Sequence, residues 1–436
     1  MPLYYQYARK ALWAFLIYLP FVGTLAYTIG GGNPLFQFTK DVFYFPALIA
    51  LLFYCYRQNL PIFIAKPLKW PLLGLLLFSL LTFIFINGDR PSDPDLGEQP
   101  FLMGIIGLKA LIGYIPLIFC AYYLIRSQKE LRFFIRLHVV LALICCTLAF
   151  IQYLLLLNGR CIGTSGLEGD TLFKASLDAR CFVGGALLFN PELGLIRLPG
   201  TFATPWHWAW FLIANAFAIV GAAVSETSRK WRNISFLAMT FLLVTAIFSG
   251  QRTALVMVPI ILMILLFVAA PGGKIKQWIM IDVSLIVLFV LAAKTNFLNL
   301  GNYLDIDWFS LNQFSWVISE LQSILGNGLG RATNAARIFG EVAIIDNYYA
   351  KILYEIGLVG LLAFLVVIAT LIYLTFKAYR SIKNRKLRCL AVCLWGFVLF
   401  IGINPIYYPL DLDPVAIYYW FFAGVLLKLP QLDSLR

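Results

Sequence analysis

The stretch Gly326–Leu362, GNGLGRATNAARIFGEVAIIDNYYAKILYEIGLVGLL, carries the residues best suited to chemistry. A glycine-rich turn is followed by Arg331 and Arg337, then by Asp346 and Asn347 at the head of a long apolar run. Lys351 and Glu355 lie in the first turns of that run. Polar groups at a membrane boundary are costly to desolvate and call for a function or a partner. A carboxylate at 346 can act as general base on an incoming hydroxyl. Asp and Asn are equally at home as helix N-caps, stabilised by the positive end of the helix dipole, so both roles stay open. Lys351 and Glu355 are spaced i, i+4 and are expected to pair with each other. The glycines allow close backbone approach, and free N–H groups there can hold an anion. Taken singly, each arginine also reads as a solvated loop charge.

Three further residues stand out. Arg252, in FSGQRTALV, opens an apolar run directly after Ser249-Gly250. A planar, permanently charged fork at a membrane boundary suits a phosphate or diphosphate, although an anchor on ordinary lipid phosphate has the same position. His207, in TFATPWHWAWFL, lies among tryptophans and reads either as an aromatic-belt residue or as a catalytic base. Arg197, just before Pro199-Gly200-Thr201-Phe202, is a third potential anion contact. The candidate catalytic residues are therefore Asp346, Arg252 and His207. The candidate substrate contacts are Arg331, Arg337, Arg197, Asn347, Tyr348 and Lys351.

The elements that must position them are membrane helices. The chain is 61% hydrophobic with a mean hydropathy of +0.84. That is far beyond a soluble composition and is spread over many runs long enough to cross about 30 Å of hydrocarbon. The fold class is all-α and polytopic, a single transmembrane domain over 1–436. About twelve spans fit, at 11–29, 41–57, 70–87, 101–125, 133–157, 203–224, 233–249, 253–270, 278–293, 347–375, 389–404 and 414–427. The first run lacks a small-residue cleavage site and reads as a retained helix.

Alternate connections collect the basic residues, from Arg9 and Lys10 through Arg126, Lys129, Arg132 and Arg136 to the run Lys377–Arg388. The positive-inside rule makes that face, and both termini, cytoplasmic. The net charge of +13 is then mostly a topology signal that also meets anionic lipid headgroups, and it gives no reason to expect nucleic acid. Two long outer-face loops remain. The first, 158–202, is rich in glycine; the second, 294–346, contains the amphipathic stretch DWFSLNQFSWVISELQSIL, expected along the membrane surface or over a cavity. Loops of this length usually belong to a functional site. Of eight cysteines, Cys161 and Cys181 share the first outer loop, and an oxidising compartment makes a disulfide between them plausible.

Together these pieces resemble the O-antigen ligase and polymerase superfamily of envelope-polysaccharide enzymes. The resemblance rests on Ser249-Gly250-Gln251-Arg252-Thr253-Ala254-Leu255, on Trp316 to Gly330, and on Asp346-Asn347-Tyr348-Tyr349 followed by Glu355-Ile356-Gly357 and Gly360. Arg197 to Phe202 also looks like the family's turn before its middle spans. It covers roughly 197–362; the earlier spans match in topology alone. The resemblance implies that Arg252 and Arg331 or Arg337 grip the diphosphate of a polyprenyl-linked sugar donor. It also implies that position 346 supplies the base. The family's ligases carry His before the Asn where this chain has Asp346, a departure that favours a polymerase or a divergent member and leaves His207 as a fallback base.

The expected function is an inner-membrane glycosyltransferase with its site facing outward. It would move a glycan from a polyprenyl-diphosphate carrier to an acceptor hydroxyl on a glycan or lipid, as a polysaccharide polymerase or ligase. No Walker-type or dinucleotide motif and no carboxylate pair at metal spacing is present, so neither a cofactor nor a metal is expected. The competing expectation is a polysaccharide or lipid-linked sugar transporter or flippase, which would place ionisable residues near mid-membrane. In that comparison only Lys109 sits deep without an obvious partner. A scaffold for envelope assembly is the third reading.

Overall fold

The computed structural model describes residues 3–62, 64–89, 98–168, 172, 177–191, 194–269 and 311–434. The predicted span 278–293, the start of the amphipathic stretch and the residues between them lie outside these. The described chain is a bundle of helices with one short hairpin. Helices α1 (Leu3–Tyr18) and α2 (Val22–Thr28) are followed by α3 (Asp41–Arg57), α4 (Lys69–Thr82), α5 (Pro100–Ile112), α6 (Leu117–Leu124) and α7 (Gln128–Leu157). The hairpin β1 (Leu188–Asn190) and β2 (Leu195–Arg197) precedes α8 (Pro205–Ser225), α9 (Arg229–Phe248) and α10 (Arg252–Ala269). The rest comprises α11 (Leu311–Glu320), α12 (Tyr348–Ser381), α13 (Arg385–Ile403) and α14 (Asp413–Ser434).

Among the described residues nine helices are long and apolar enough to cross a membrane, and ten if the bent pair α5 and α6 counts as one span. The architecture is a helical, polytopic membrane one. The run expected at 101–125 is broken: α5 and α6 meet at 43° around Gly113 and Pro116, where proline cannot continue the ladder. The predicted run 41–57 is α3, whose 17 residues fall just short of that length.

The helices start where side chains can take up orphan N–H groups. Ser127 caps α7 by accepting from Glu130 N, and Asn384 caps α13 by accepting from Leu387 N. Burial ranks the helices. Helices α8 and α14 lie mostly inside the protein, whereas the span that contains α4 is largely exposed on its outer side. The two inner helices meet where the Phe211 ring of α8 lies 6.4 Å from the Tyr418 ring of α14, with Trp208 stacked on Phe211 and Phe422 on Tyr418. Small residues allow close approach: a Cβ on Gly424 of α14 would lie 2.3 Å from the Ile118 carbonyl oxygen of α6. The peripheral helices turn Val42, Ile49, Trp70 and Leu77 outward, as a lipid-facing surface requires.

The segment that carries Cys161 and Cys181 is tied down. Cys161 and Cys181 form a disulfide, and Gln152 of α7 donates to the carbonyls of Cys181 and Val183. Hairpin register sets Arg197 opposite Leu188.

Candidate functional site

The glycine turn before Arg331 serves a different purpose from the one its sequence suggests. Helix α12 breaks at Gly357 (φ 69°, ψ −177°), freeing carbonyls that a continuous helix would use. The turn supplies donors to them: Asn327 N bonds Tyr354 O at 2.8 Å and Gly328 N bonds Glu355 O at 3.2 Å. Asn87 clamps the other side, accepting from Leu329 N at 2.9 Å and donating to Leu329 O. Both glycines at the crossing are obligatory. A Cβ on Gly357 would lie 1.9 Å from Ile324 O, and one on Gly330 would lie 2.1 Å from Met103 O. The anion that this loop cradles is internal: the buried Glu355 carboxylate accepts from Ala332 N and from the Thr333 hydroxyl, each at 2.9 Å.

Glu355 thus finds its partners in the loop, and Lys351 does not close an i, i+4 pair with it. Lys351 Nζ lies 2.6 Å from Asp411 Oδ2, with both side chains at most 3% exposed. Local spacing lost to the segment 404–412, which folds back over the start of α12. There Tyr348 N donates to Pro405 O at 2.6 Å, and Tyr408 N donates to Asp346 O at 3.3 Å. Tyr407 and Tyr408 both adopt left-handed backbone angles, φ 56° and 37°. Bulky residues rarely accept such angles, and strain of this kind gathers at functional sites.

Asn347, not Asp346, caps α12: its side chain accepts from Tyr349 N and Ala350 N, both at 3.1 Å. Its own N–H donates to Gln313 of α11, and Trp316 of α11 stacks on Tyr354 of α12. The amphipathic helix therefore lies across the head of α12. Asp346 is left exposed, and its carboxylate makes no hydrogen bond or ion pair among the described residues. Crowding by the surrounding protein nevertheless desolvates it enough to raise its pKa above the ordinary carboxylate value. Beside it, burial pushes the Tyr408 phenol up to about 12, with Asp346 and Asp411 adding to the shift, while Asn334 and Arg337 act against it. Tyr408 is thus the common neighbour of Asp346, Asn334 and Arg337.

The two second-loop arginines are not equivalent. Arg331 is held in a two-pronged pair by Glu98, at 3.0 and 2.9 Å, whereas Arg337 is exposed and has no ion partner among the described residues. Arg252 and Arg197 are brought into a cluster of their own. Leu198 N donates to Ser249 O at 2.9 Å, and a Cβ on Gly250 (φ 66°) would lie 2.6 Å from Ile196 O. The hairpin end carrying Arg197 is therefore clamped on the turn that launches Arg252 into α10. The Arg197 guanidinium lies 5.9 Å from the centre of the Trp206 ring. No contact among the described residues joins this cluster to Asp346. Tyr348 is 3% exposed and packs its ring on Tyr349 and Phe364.

His207, in the first turn of α8, shares a hydrogen bond through Nδ1 with the capping hydroxyl of Thr204. It also lines a cavity of about 20 Å³ with Lys40 and Asp413, room for one water. Lys40, 1% exposed, pairs with Asp413 at 2.6 Å. Lys109 is not without a partner: it pairs with Asp41, whose other oxygen accepts from the Tyr114 hydroxyl at 2.9 Å. Lys40, Asp41, Tyr408 and Asp411 escaped the sequence reading. The usable signal was Asn404–Pro414, NPIYYPLDLDP, where three prolines, two tyrosines and two acids are crowded into one connection.

No family model matches the chain, and no curated protein matches it. A solved structure concerned with the structural coordination of polymerization and crosslinking by a peptidoglycan synthase complex aligns with a TM-score of 0.41 and 14% identity. The alignment covers 83% of this chain and 97% of that one. A likeness at that level carries no argument about chemistry.

Proposed function

We propose that the protein is a glycosyltransferase of the inner (plasma) membrane, with its site facing outward and both termini cytoplasmic. It moves a glycan from a polyprenyl-diphosphate carrier to an acceptor hydroxyl, as a polysaccharide polymerase or ligase. The observation that carries this reading is the state of Asp346. Asp41, Asp411 and Asp413 each hold a lysine, while Asp346 stands accessible beside Tyr408 with no cationic partner among the described residues. A carboxylate left in that state is able to accept a proton.

In the step proposed, the acceptor oxygen attacks the anomeric carbon and its proton passes to Asp346. The bond from that carbon to the diphosphate oxygen breaks, and the diphosphate leaves with the electron pair. Cations suit the charge that develops there, and Arg337 and Arg252 are the proposed holders. Asn347 caps the helix that presents Asp346, and Lys351 and Tyr348 anchor it from within. No nucleotide is needed, because the driving energy already lies in the sugar–diphosphate bond.

The test is a deletion strain complemented with variants. Loss of the protein should make short lipid-linked repeats accumulate while long polymer disappears. Arg252→Ala should insert normally yet fail to restore polymer, and Arg252→Lys should restore little because it lacks the bidentate fork. Asp346→His should restore polymer and Asp346→Ala should not. Equal behaviour of the two Asp346 variants would remove it from the chemistry.

A further inference from the structure

At the opposite end of the bundle from Asp346, a groove of about 580 Å³ opens between α7 and α9, near the chain's basic connections. Its lining is ordered along α7. Lys129 and Arg132 stand at the helix terminus, Arg136 comes one turn later, and Phe133 and Val140 wall the groove. Trp231 of α9 closes the far side, with the Arg136 guanidinium 4.8 Å from its ring centre. Arg136 is fixed from behind by Glu226, at 2.8 and 3.0 Å, so its charge is offset and its position locked. Lys129 and Arg132 have exposed side chains with no acidic partner among the described residues.

From this order of surfaces we infer that the groove binds the phosphodiester headgroup of an anionic phospholipid. Two cations at the helix end match the headgroup charge, and an indole offers the polar–apolar edge that belongs at that depth. The exposed Phe133 and Val140 continue inward as a surface for the acyl chains. A helix terminus lies at the membrane surface whichever way the protein is inserted, so cations outermost and apolar side chains deeper reproduce the profile of a lipid in either orientation. Ordinary annular lipid would need no such groove. The fixed Arg136 and Trp231 give this one a defined wall.

The probe is phosphatidylglycerol, titrated into purified full-length protein in phosphatidylcholine-containing micelles, with bound lipids counted by native mass spectrometry. Wild-type protein should retain phosphatidylglycerol in preference to phosphatidylcholine. Lys129→Gln/Arg132→Gln should bind it about 25-fold more weakly, from about a fivefold loss per cation removed. Lys383→Gln/Lys386→Gln removes the same charge from another basic connection and should bind as wild type. The altered side chains in both variants are exposed, and thermal unfolding in phosphatidylcholine micelles confirms that each is folded. Wild-type affinity in the groove variant, or an equal loss in both variants, would overturn the inference. Displacement of the lipid by inorganic phosphate would overturn it too, since it would mark a site for a soluble anion.

Discussion

Lys351 is the residue for which sequence and structure suggest the most different experiments. As a substrate contact it would be lost with little effect on folding. As the partner of Asp411 it cannot be. At 2.6 Å and an effective dielectric near 20, the pair gains about 6 kcal/mol of Coulomb energy. Desolvating two ions costs several kcal/mol each, so the intact pair contributes little net stability. Removing one partner is different. Lys351→Met leaves Asp411 buried, 3% exposed and uncompensated, and should cost about 3–5 kcal/mol. Lys351→Met/Asp411→Leu removes both charges and should recover most of that loss. The assay is thermal unfolding in detergent of the wild type, both single variants and the double variant, with polymer yield measured in parallel. The decisive quantity is the coupling term: the double variant should lose several kcal/mol less than the sum of the two single losses. If Lys351→Met unfolds like the wild type yet makes no polymer, the ammonium touches substrate and the anchoring role is refuted.

Other outcomes follow from the same geometry. If Asp346 is the base, it must be ionised to work. Because desolvation raises its pKa, in vitro polymer synthesis should fall with acid over a window lying above the ordinary 3.8, and a rate that stays flat down to that value would exclude it. The same sign makes ionised Asp346 mildly destabilising above its folded pKa, so Asp346→Asn should unfold at neutral pH no earlier than wild type. Gly357→Ala should fail to accumulate as folded protein, since φ 69° costs about 1–3 kcal/mol before the 1.9 Å clash with Ile324 O is counted. Gly74→Ala, with nothing within 4 Å, should accumulate normally in the same expression assay. Cys161→Ser/Cys181→Ser opens a loop with a sequence separation of 20 and should lower stability by about 3 kcal/mol. After reduction of intact cells, a membrane-impermeant maleimide should label the partly accessible Cys161; labelling only after lysis would place the loop inside and invert the proposed topology.

What could be read in the chain follows a physical division. Helices announce themselves through runs of apolar residues, and the runs at 133–157, 203–224 and 389–404 lie on α7, α8 and α13 because lipid and core both demand apolar side chains there. The cap at Asn347 was visible for a similar reason, since capping is decided within a few residues. Pairings set by tertiary contact were not visible. Lys351 has Glu355 one turn away and takes Asp411 instead, and Lys109 takes Asp41, 68 positions earlier. The turn at Gly326–Gly330 looked like an anion cradle because glycine signals close approach without saying what approaches. Here it is the broken backbone of α12. Gly113 and Pro116 did signal the bend between α5 and α6, although the high hydrophobicity of 101–125, broken only by Lys109, outweighed them.

The ion pairs bear on the choice between transferase and transporter. Lys109 was the one deep charge that favoured transport, and the structure adds Lys40–Asp413 and Lys351–Asp411 to Lys109–Asp41. A coupling site in a transporter must expose and release its ionisable groups in turn. These pairs sit at the heads of helices: Asp41 opens α3, Lys351 lies in the first turn of α12, and Asp413 opens α14. They fasten the segment 404–413 to α3 and α12, and Asp411 and Asp413 together join both anchors. Alternating access would have to break the buried Lys351–Asp411 pair and the partly buried Lys40–Asp413 pair in each cycle, at the cost of separating ions held largely away from water. An enzyme needs the opposite, a rigid frame that keeps one carboxylate out of the pairing. Among Asp41, Asp346, Asp411 and Asp413, only Asp346 lacks a cationic partner in the described structure, and it faces solvent. If the pairs served transport, neutralising Lys40 and Asp413 together would abolish function even in a stably folded protein. If they serve as a frame, Lys40→Met/Asp413→Leu that folds should still make polymer.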